Sequence, residues 1–149
     1  MPQPARTKIL YWNTNGIAGK QTELSVFMEQ RGIKIALVNE TWLKLNKNFK
    51  RVGYKIYRND RLDANNGGTA VIVHNEVEHS NIQLPALEKL EAPAILTKFN
   101  GAYTTLMSAY NRPSGTIITR DISALLNISP RVIVAGDLNA KHTSWHSKK

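Results

Sequence analysis

The sequence has no cysteine, which removes disulfides and thiolate metal sites from consideration. No apolar run is long enough to span a bilayer, and no signal-peptide core follows Met1, so the chain is expected to be intracellular and not secreted. Acidic residues are scarce: 11 Asp and Glu stand against 20 Lys and Arg, a net charge of +9. That imbalance favours a polyanionic partner, either nucleic acid or an anionic membrane surface. Internal repeats, low-complexity tracts and linkers are missing, so the 149 residues are expected to form one domain, 1–149, with a real core. There is no phosphate-binding loop, no dinucleotide fingerprint and no Gly-x-Ser-x-Gly elbow. Asn39-Glu40-Thr41 matches a glycosylation acceptor, a chance match in a chain with no secretion signal.

What is present is a series of apolar runs that end in polar side chains. Residues 1–6 form a short tail. Lys8 to Trp12 is a strand running into Asn13-Thr14-Asn15-Gly16. Ile33 to Val38 is a second strand, left by Asn39-Glu40-Thr41-Trp42. Pro93 to Phe99 and Thr104 to Tyr110 form a hairpin around Asn100-Gly101, and the second arm ends in Tyr110. Arg131 to Ala135 reads as a strand buried on both faces, after which Gly136 lets the chain turn and Asp137 and Asn139 follow two apart. Residues two apart in extended chain face the same way, so each pair projects side by side from a strand end. Asx and Asn-Gly turns explain each pair equally well when it is taken alone.

Tyr54 to Tyr57 and Thr69 to His74 are further strands, and Val77 to Leu84 is a weaker one. Gln21 to Arg31 is an amphipathic helix with Leu24, Phe27 and Met28 on its core stripe and Gly32 as its stop. Thr116 to Asn127 is the second helix, ended by Pro130. Lys44 to Arg51 is a basic connection, either solvated or facing a phosphate backbone. The interleaving predicts an α/β fold of two sheets packed face to face with helices outside.

His142 and His146 have the spacing of a zinc pair, but no Glu lies between them and no third ligand is evident. The remaining polar set is Asn13, Asn15, Glu40, Tyr110, Asp137 and Asn139, with only two carboxylates. Mg²⁺ takes oxygen ligands and often just one or two carboxylates beside water and substrate phosphate. The set therefore suits a metal and a phosphoester better than a glycosidase, whose two flanking carboxylates Glu40 and Asp137 could still supply.

These residues, in the order Trp12-Asn13-Thr14-Asn15-Gly16, Asn39-Glu40-Thr41-Trp42, Tyr110, Gly136-Asp137-Leu138-Asn139, resemble the endonuclease/exonuclease/phosphatase family of pancreatic deoxyribonuclease and the apurinic/apyrimidinic endonucleases. Tyr57-Arg58-Asn59-Asp60-Arg61, Gly67-Gly68-Thr69-Ala70-Val71-Ile72-Val73 and Asn139-Ala140-Lys141-His142-Thr143-Ser144-Trp145 look like the endonuclease domain of Jockey-type non-LTR retrotransposons. The resemblance implies a deoxyribonuclease-like two-sheet sandwich and a Mg²⁺ (or Mn²⁺) dependent cut in target DNA, acting in the nucleus beside a reverse transcriptase domain. It implies that Glu40 holds the metal with Asn15 near it, and that Asp137 orients or deprotonates the attacking water. Asn13 and Asn139 would bind the scissile phosphate and nucleophile, and Tyr110 would donate to a phosphate oxygen. Asn15 departs from the Asp that several members carry. The family continues past the Asp137 motif to a final Asp-His pair, so the chain resembles the N-terminal part of an incomplete domain, expected to be inactive or weak alone and to leave an unpaired sheet edge. An inert or nucleic-acid-binding relic and a phosphatase of the same family are the rival expectations.

Overall fold

The computed structural model, which describes residues 6–146, shows eight strands and two α-helices, with six strands in succession between the helices. In chain order they are β1 (Lys8–Asn13), α1 (Gln21–Arg31), β2 (Ile33–Asn39), β3 (Tyr54–Asn59), β4 (Thr69–His74), β5 (His79–Ile82), β6 (Ala94–Phe99), β7 (Ala102–Tyr110), α2 (Thr119–Leu126) and β8 (Val132–Asp137). A 3-10 turn, Thr143–Trp145, follows. Apart from Arg6, the expected N-terminal tail lies outside the described residues. No helix among the described residues is long and apolar enough to cross a membrane.

The strands form two four-stranded sheets, ordered β1-β2-β4-β3 and β5-β6-β7-β8. Between them lies a core of Ile35, Leu37, Val71 and Val73 from the first sheet and Ile95 and Leu106 from the second. Helix α1 covers the outer face of the first sheet, with Leu24 and Met28 against Ala36, Val38 and Ile72. Helix α2 covers the second, with Leu125 against Met107 and Ala109. Coverage on both faces explains why β2 is a continuous apolar run: alternate residues feed different cores. Each fully buried Leu, Ile or Val contributes about 1.5–3 kcal/mol. The expected sandwich with helices outside is therefore the one observed.

Local signals placed several boundaries well. Gly32 ends α1 in a left-handed conformation, φ 64°, with its N–H donating to the carbonyls of Met28 and Glu29. Asn100 and Gly101 both have positive φ, as a tight hairpin between β6 and β7 requires. Phe27, expected in the core stripe, is 42 % exposed, because α1 is turned so that Leu24, Ser25 and Met28 are its buried residues. Strand β8 is also not buried on both faces. Among the described residues it is an edge strand paired only to β7, and Ile133 is 41 % exposed. Nor does Gly136 turn the chain; it lies within β8, where an added Cβ would sit 1.7 Å from the Ala109 carbonyl oxygen. Glycine is needed there for the close approach of β7.

Two parallel pairings position the site. β1 runs parallel to β2, with Asn13 opposite Asn39, and β7 runs parallel to β8, with Tyr110 opposite Asp137. The sheets are stitched together at that end by a buried polar cluster. The Asn39 Nδ2 donates to the Ala109 carbonyl at 2.8 Å, and the Ser108 hydroxyl reaches both Asn39 Oδ1 (2.8 Å) and the Val38 carbonyl (2.9 Å). Asn39 is fully buried, which fits its glycosylation match being accidental.

Candidate active site

The period of two carries the inward-facing rows of four strands to one rim of the sandwich. The rows are Ile9-Tyr11-Asn13, Ile35-Leu37-Asn39, Leu106-Ser108-Tyr110 and Ile133-Ala135-Asp137, and Ile9 and Ala135 both pack on the inter-sheet core. The rim thus gathers Asn13, Tyr110 and Asp137, with Glu40 one residue beyond the end of β2. The loops entering and leaving the neighbouring strands close around it.

Glu40 is held in a left-handed backbone conformation, φ 56°, which is uncommon outside glycine and asparagine and clusters at functional sites. Its Oε2 accepts the Trp42 indole N–H at 2.7 Å and the Gly67 amide at 3.1 Å, and the Tyr110 hydroxyl lies within reach of the same carboxylate as a further donor. Burial pushes the Glu40 carboxyl up, but these three donors and the nearby Arg61 charge outweigh it and hold it below the ordinary glutamate value. Tyr110 moves the other way. Burial first, then the bonded Glu40 carboxylate, push its phenol up to about 12, so it remains a protonated donor.

The two Asx pairs have closely related geometry. The Asn139 amide donates to Asp137 Oδ1 at 2.9 Å, and the Asn15 amide donates to Asn13 Oδ1 at 3.3 Å. Asn15 and Asn139 both adopt positive φ, 47° and 48°. So the Asx turns exist, and they aim the side chains of the rim. The Asn139 Nδ2 donates to the Asn111 carbonyl at 2.6 Å, tying the loop after β8 to the end of β7. Tyr11 lies between the two carboxylates: burial raises its phenol, and both Asp137 and Glu40 raise it further. All six sequence-selected residues thus belong to one rim.

Several participants carried no legible signal. Tyr11 looked like strand core, and Asn39 only like part of the polar exit from the second strand. Arg61 pairs with Glu91 at 2.8 Å across 30 residues, a link that no local pattern encodes. Lys44 of the basic connection and Arg58 of β3 are bound inward: Lys44 donates to the Ala64 and Arg61 carbonyls, and Arg58 to the Lys44 and Lys47 carbonyls. His142 caps the 3-10 turn, and its ring lies 5.8 Å from that of Trp145. Among the described residues no three His, Asp or Glu side chains converge as a metal cluster.

Comparison with known proteins places this geometry. Residues 10–149 match the model of the "Endonuclease/Exonuclease/phosphatase family". The chain is 30 % identical over 142 residues to the "Probable RNA-directed DNA polymerase from transposon BS" of Drosophila melanogaster, covering 93 % of the chain. It is 26 % identical over 147 residues to the "RNA-directed DNA polymerase from mobile element jockey" of the same organism, covering 97 % of the chain. It spans 16 % of the length of each of these relatives. Its fold is similar to the "Endonuclease domain of TRAS1, a telomere-specific non-LTR retrotransposon", with TM-score 0.69 and 24 % identity, covering 95 % of the chain and 64 % of that domain. The chain belongs to the endonuclease/exonuclease/phosphatase family.

Proposed function

We propose that the chain, as a single domain, carries the phosphodiester-cleaving site of a Mg²⁺-dependent DNA endonuclease that nicks target DNA for a retrotransposon. The observation that carries this reading is the convergence on one rim of Glu40, Tyr110 and Asp137, with Asn13 at the end of β1 and Asn139 in the loop after β8. The family membership, the similarity to reverse transcriptase polyproteins and the +9 charge support it.

The donor set fits a hard cation. Glu40 is kept ionised, Asn15 on the adjoining loop offers an amide oxygen, and among the described residues no imidazole cluster competes. Such a site leaves most metal positions to water and substrate oxygens, which is normal for Mg²⁺ and Mn²⁺ and poor for zinc. When bound there, the metal supplies Lewis-acid polarisation of the phosphate and stabilises developing charge. The chain's own residues supply the remainder. Asp137, half-buried and fixed by the Asn139 amide, orients the attacking water and receives its proton. Asn139 and Asn13 hydrogen-bond the nucleophile and the scissile phosphate. Tyr110, protonated at neutral pH, donates to a phosphate oxygen as negative charge grows.

The test is nicking of supercoiled plasmid with Mg²⁺, by the chain alone and by the chain within the longest reading frame that contains it. Relaxed circles are expected from the longer protein and weakly or not at all from the chain alone. They should be lost in Asp137→Ala and Glu40→Gln and on chelation. No nicking in either form, or nicking indifferent to both substitutions, overturns the proposal. The +9 charge supports a second reading, a nucleic-acid-binding module without chemistry, in which binding falls steeply with salt and ignores Asp137→Ala.

A further inference from the structure

Arg61 is a charged residue in an unusual place. It is 7 % exposed at the site rim, and its Nη2 is buried with no hydrogen bond among the described residues. A buried cation needs a carboxylate partner, and Glu91 provides it through the 2.8 Å contact to Nε. The guanidinium carbon lies 5.2 Å from the centre of the Tyr110 ring, within cation–π range. It also presses on Gly67, where an added Cβ would meet the guanidinium carbon at 2.3 Å and where φ is 82°. Only glycine leaves that space.

The groups around Arg61 form a closed circuit. Consecutive amides of the glycine pair hold the two carboxylates: Gly67 N–H donates to Glu40, and Gly68 N–H donates to Glu91 Oε2 at 3.2 Å. Glu91 is bridged to Tyr110 through backbone bonds in both directions, at 3.0 and 2.9 Å. The Tyr110 hydroxyl closes the circuit, within reach of the Glu40 carboxylate and of Arg61. Arg61 sits in the middle and touches three of these members. An ion pair that only supported a loop would not need its cation stacked on the ring of a site residue.

We propose that Arg61, anchored by Glu91, is the positioning residue of the Glu40–Tyr110 pair: its planar cation, packed against the Gly67 backbone and the Tyr110 ring, sets where the Tyr110 hydroxyl points. The inference rests on the endonuclease reading only for its kinetic consequence. Geometry demands a planar group, so lysine should replace the charge but not the stacking.

The experiment labels the tyrosine rings of the chain with ¹³C and assigns the Tyr110 signal among the five tyrosines by Tyr110→Phe. In Arg61→Met the Tyr110 ring signal should shift and broaden while the Tyr54 and Tyr57 signals stay in place; Arg61→Lys should restore it in part. Glu91→Gln, which keeps an acceptor for Gly68, should move the same signal. An unmoved Tyr110 signal overturns the proposal, and so does a concerted shift of all five, which marks a merely structural role. If Arg61→Met does not fold, Arg61→Lys and Glu91→Gln decide by the same criterion. In the nicking-competent protein, Arg61→Met should lower kcat about tenfold or more with KM for DNA nearly unchanged. If no form nicks, the endonuclease reading fails, and the ring signals still decide whether Arg61 positions Tyr110.

Discussion

Asp121 offers a sharp test of how the site is supported from a distance. It lies in the first turn of α2, is 2 % exposed, and accepts three successive backbone amides, from Glu88 (2.9 Å), Lys89 (2.7 Å) and Leu90 (3.0 Å). The next residue is Glu91, the anchor of Arg61. Hydrogen bonds to a charged group contribute about 1.5–3 kcal/mol each. The full sum does not apply, because Glu88 and Lys89 are exposed and their amides can turn to water, whereas the Leu90 bond is buried. Asp121→Ala should therefore destabilise the chain by about 3 kcal/mol, and Asp121→Asn, which places an NH₂ against amide donors, by about 1–2 kcal/mol. The effect has a pH signature. Burial pushes the Asp121 carboxyl up, but the three amides outweigh it and hold it below its ordinary value. A depressed folded pKa gives stability that is complete above the unfolded value, about 3.9, and is lost as pH falls through the folded one. Urea unfolding at pH 7, 5 and 3.5 should show the gap between wild type and Asp121→Asn closing toward low pH. An Asp121→Ala chain within about 0.5 kcal/mol of wild type at pH 7, or a gap independent of pH, refutes the reasoning.

Three further outcomes are expected. Gly136→Ala places a Cβ 1.7 Å from the Ala109 carbonyl oxygen, so β8 must part from β7 beside Asp137. Thermal or urea melts should show a loss of about 2–3 kcal/mol, and unchanged stability would contradict the close approach. Tyr110, raised to about 12, binds its proton more tightly folded than unfolded, so its contribution is lost as pH rises from the unfolded value of about 10 toward the folded one; the alkaline slope of stability should be shallower in Tyr110→Phe. Asn39→Ala strips the Ala109 carbonyl and the Ser108 hydroxyl of a buried partner and should cost about 2–3 kcal/mol. A cycle with Ser108→Ala should then give a coupling above about 0.5 kcal/mol, whereas additive losses would mean the two do not act together.

Local chemistry determined much of this protein from sequence. The strands, α1 with its Gly32 stop, the Asn100-Gly101 hairpin and the polar endings of four strands all follow from periodicity and turn propensity over a few residues. The ordered motifs around Glu40 and Asp137 were legible for the same reason, since each lies within a short contiguous stretch. Whether a strand is central or at an edge depends on pairing across the chain, so β8, with the same apolar run as a buried strand, proved half-exposed. Phe27 fits the apolar stripe by period and still reaches solvent, because α1 is turned so that Ser25, not Phe27, is buried beside Leu24 and Met28. Gly136 looked like a turn residue, and only the approach of β7 shows that it makes space. Above all, the circuit of Glu40, Gly67, Gly68, Glu91 and Tyr110 around Arg61 joins segments tens of residues apart. Its members meet because antiparallel pairing sets Asn39 and Asn59 on either side of Thr69 in one sheet and Glu91 against Tyr110 in the other, and pairing across such lengths of chain leaves no period in the sequence to read.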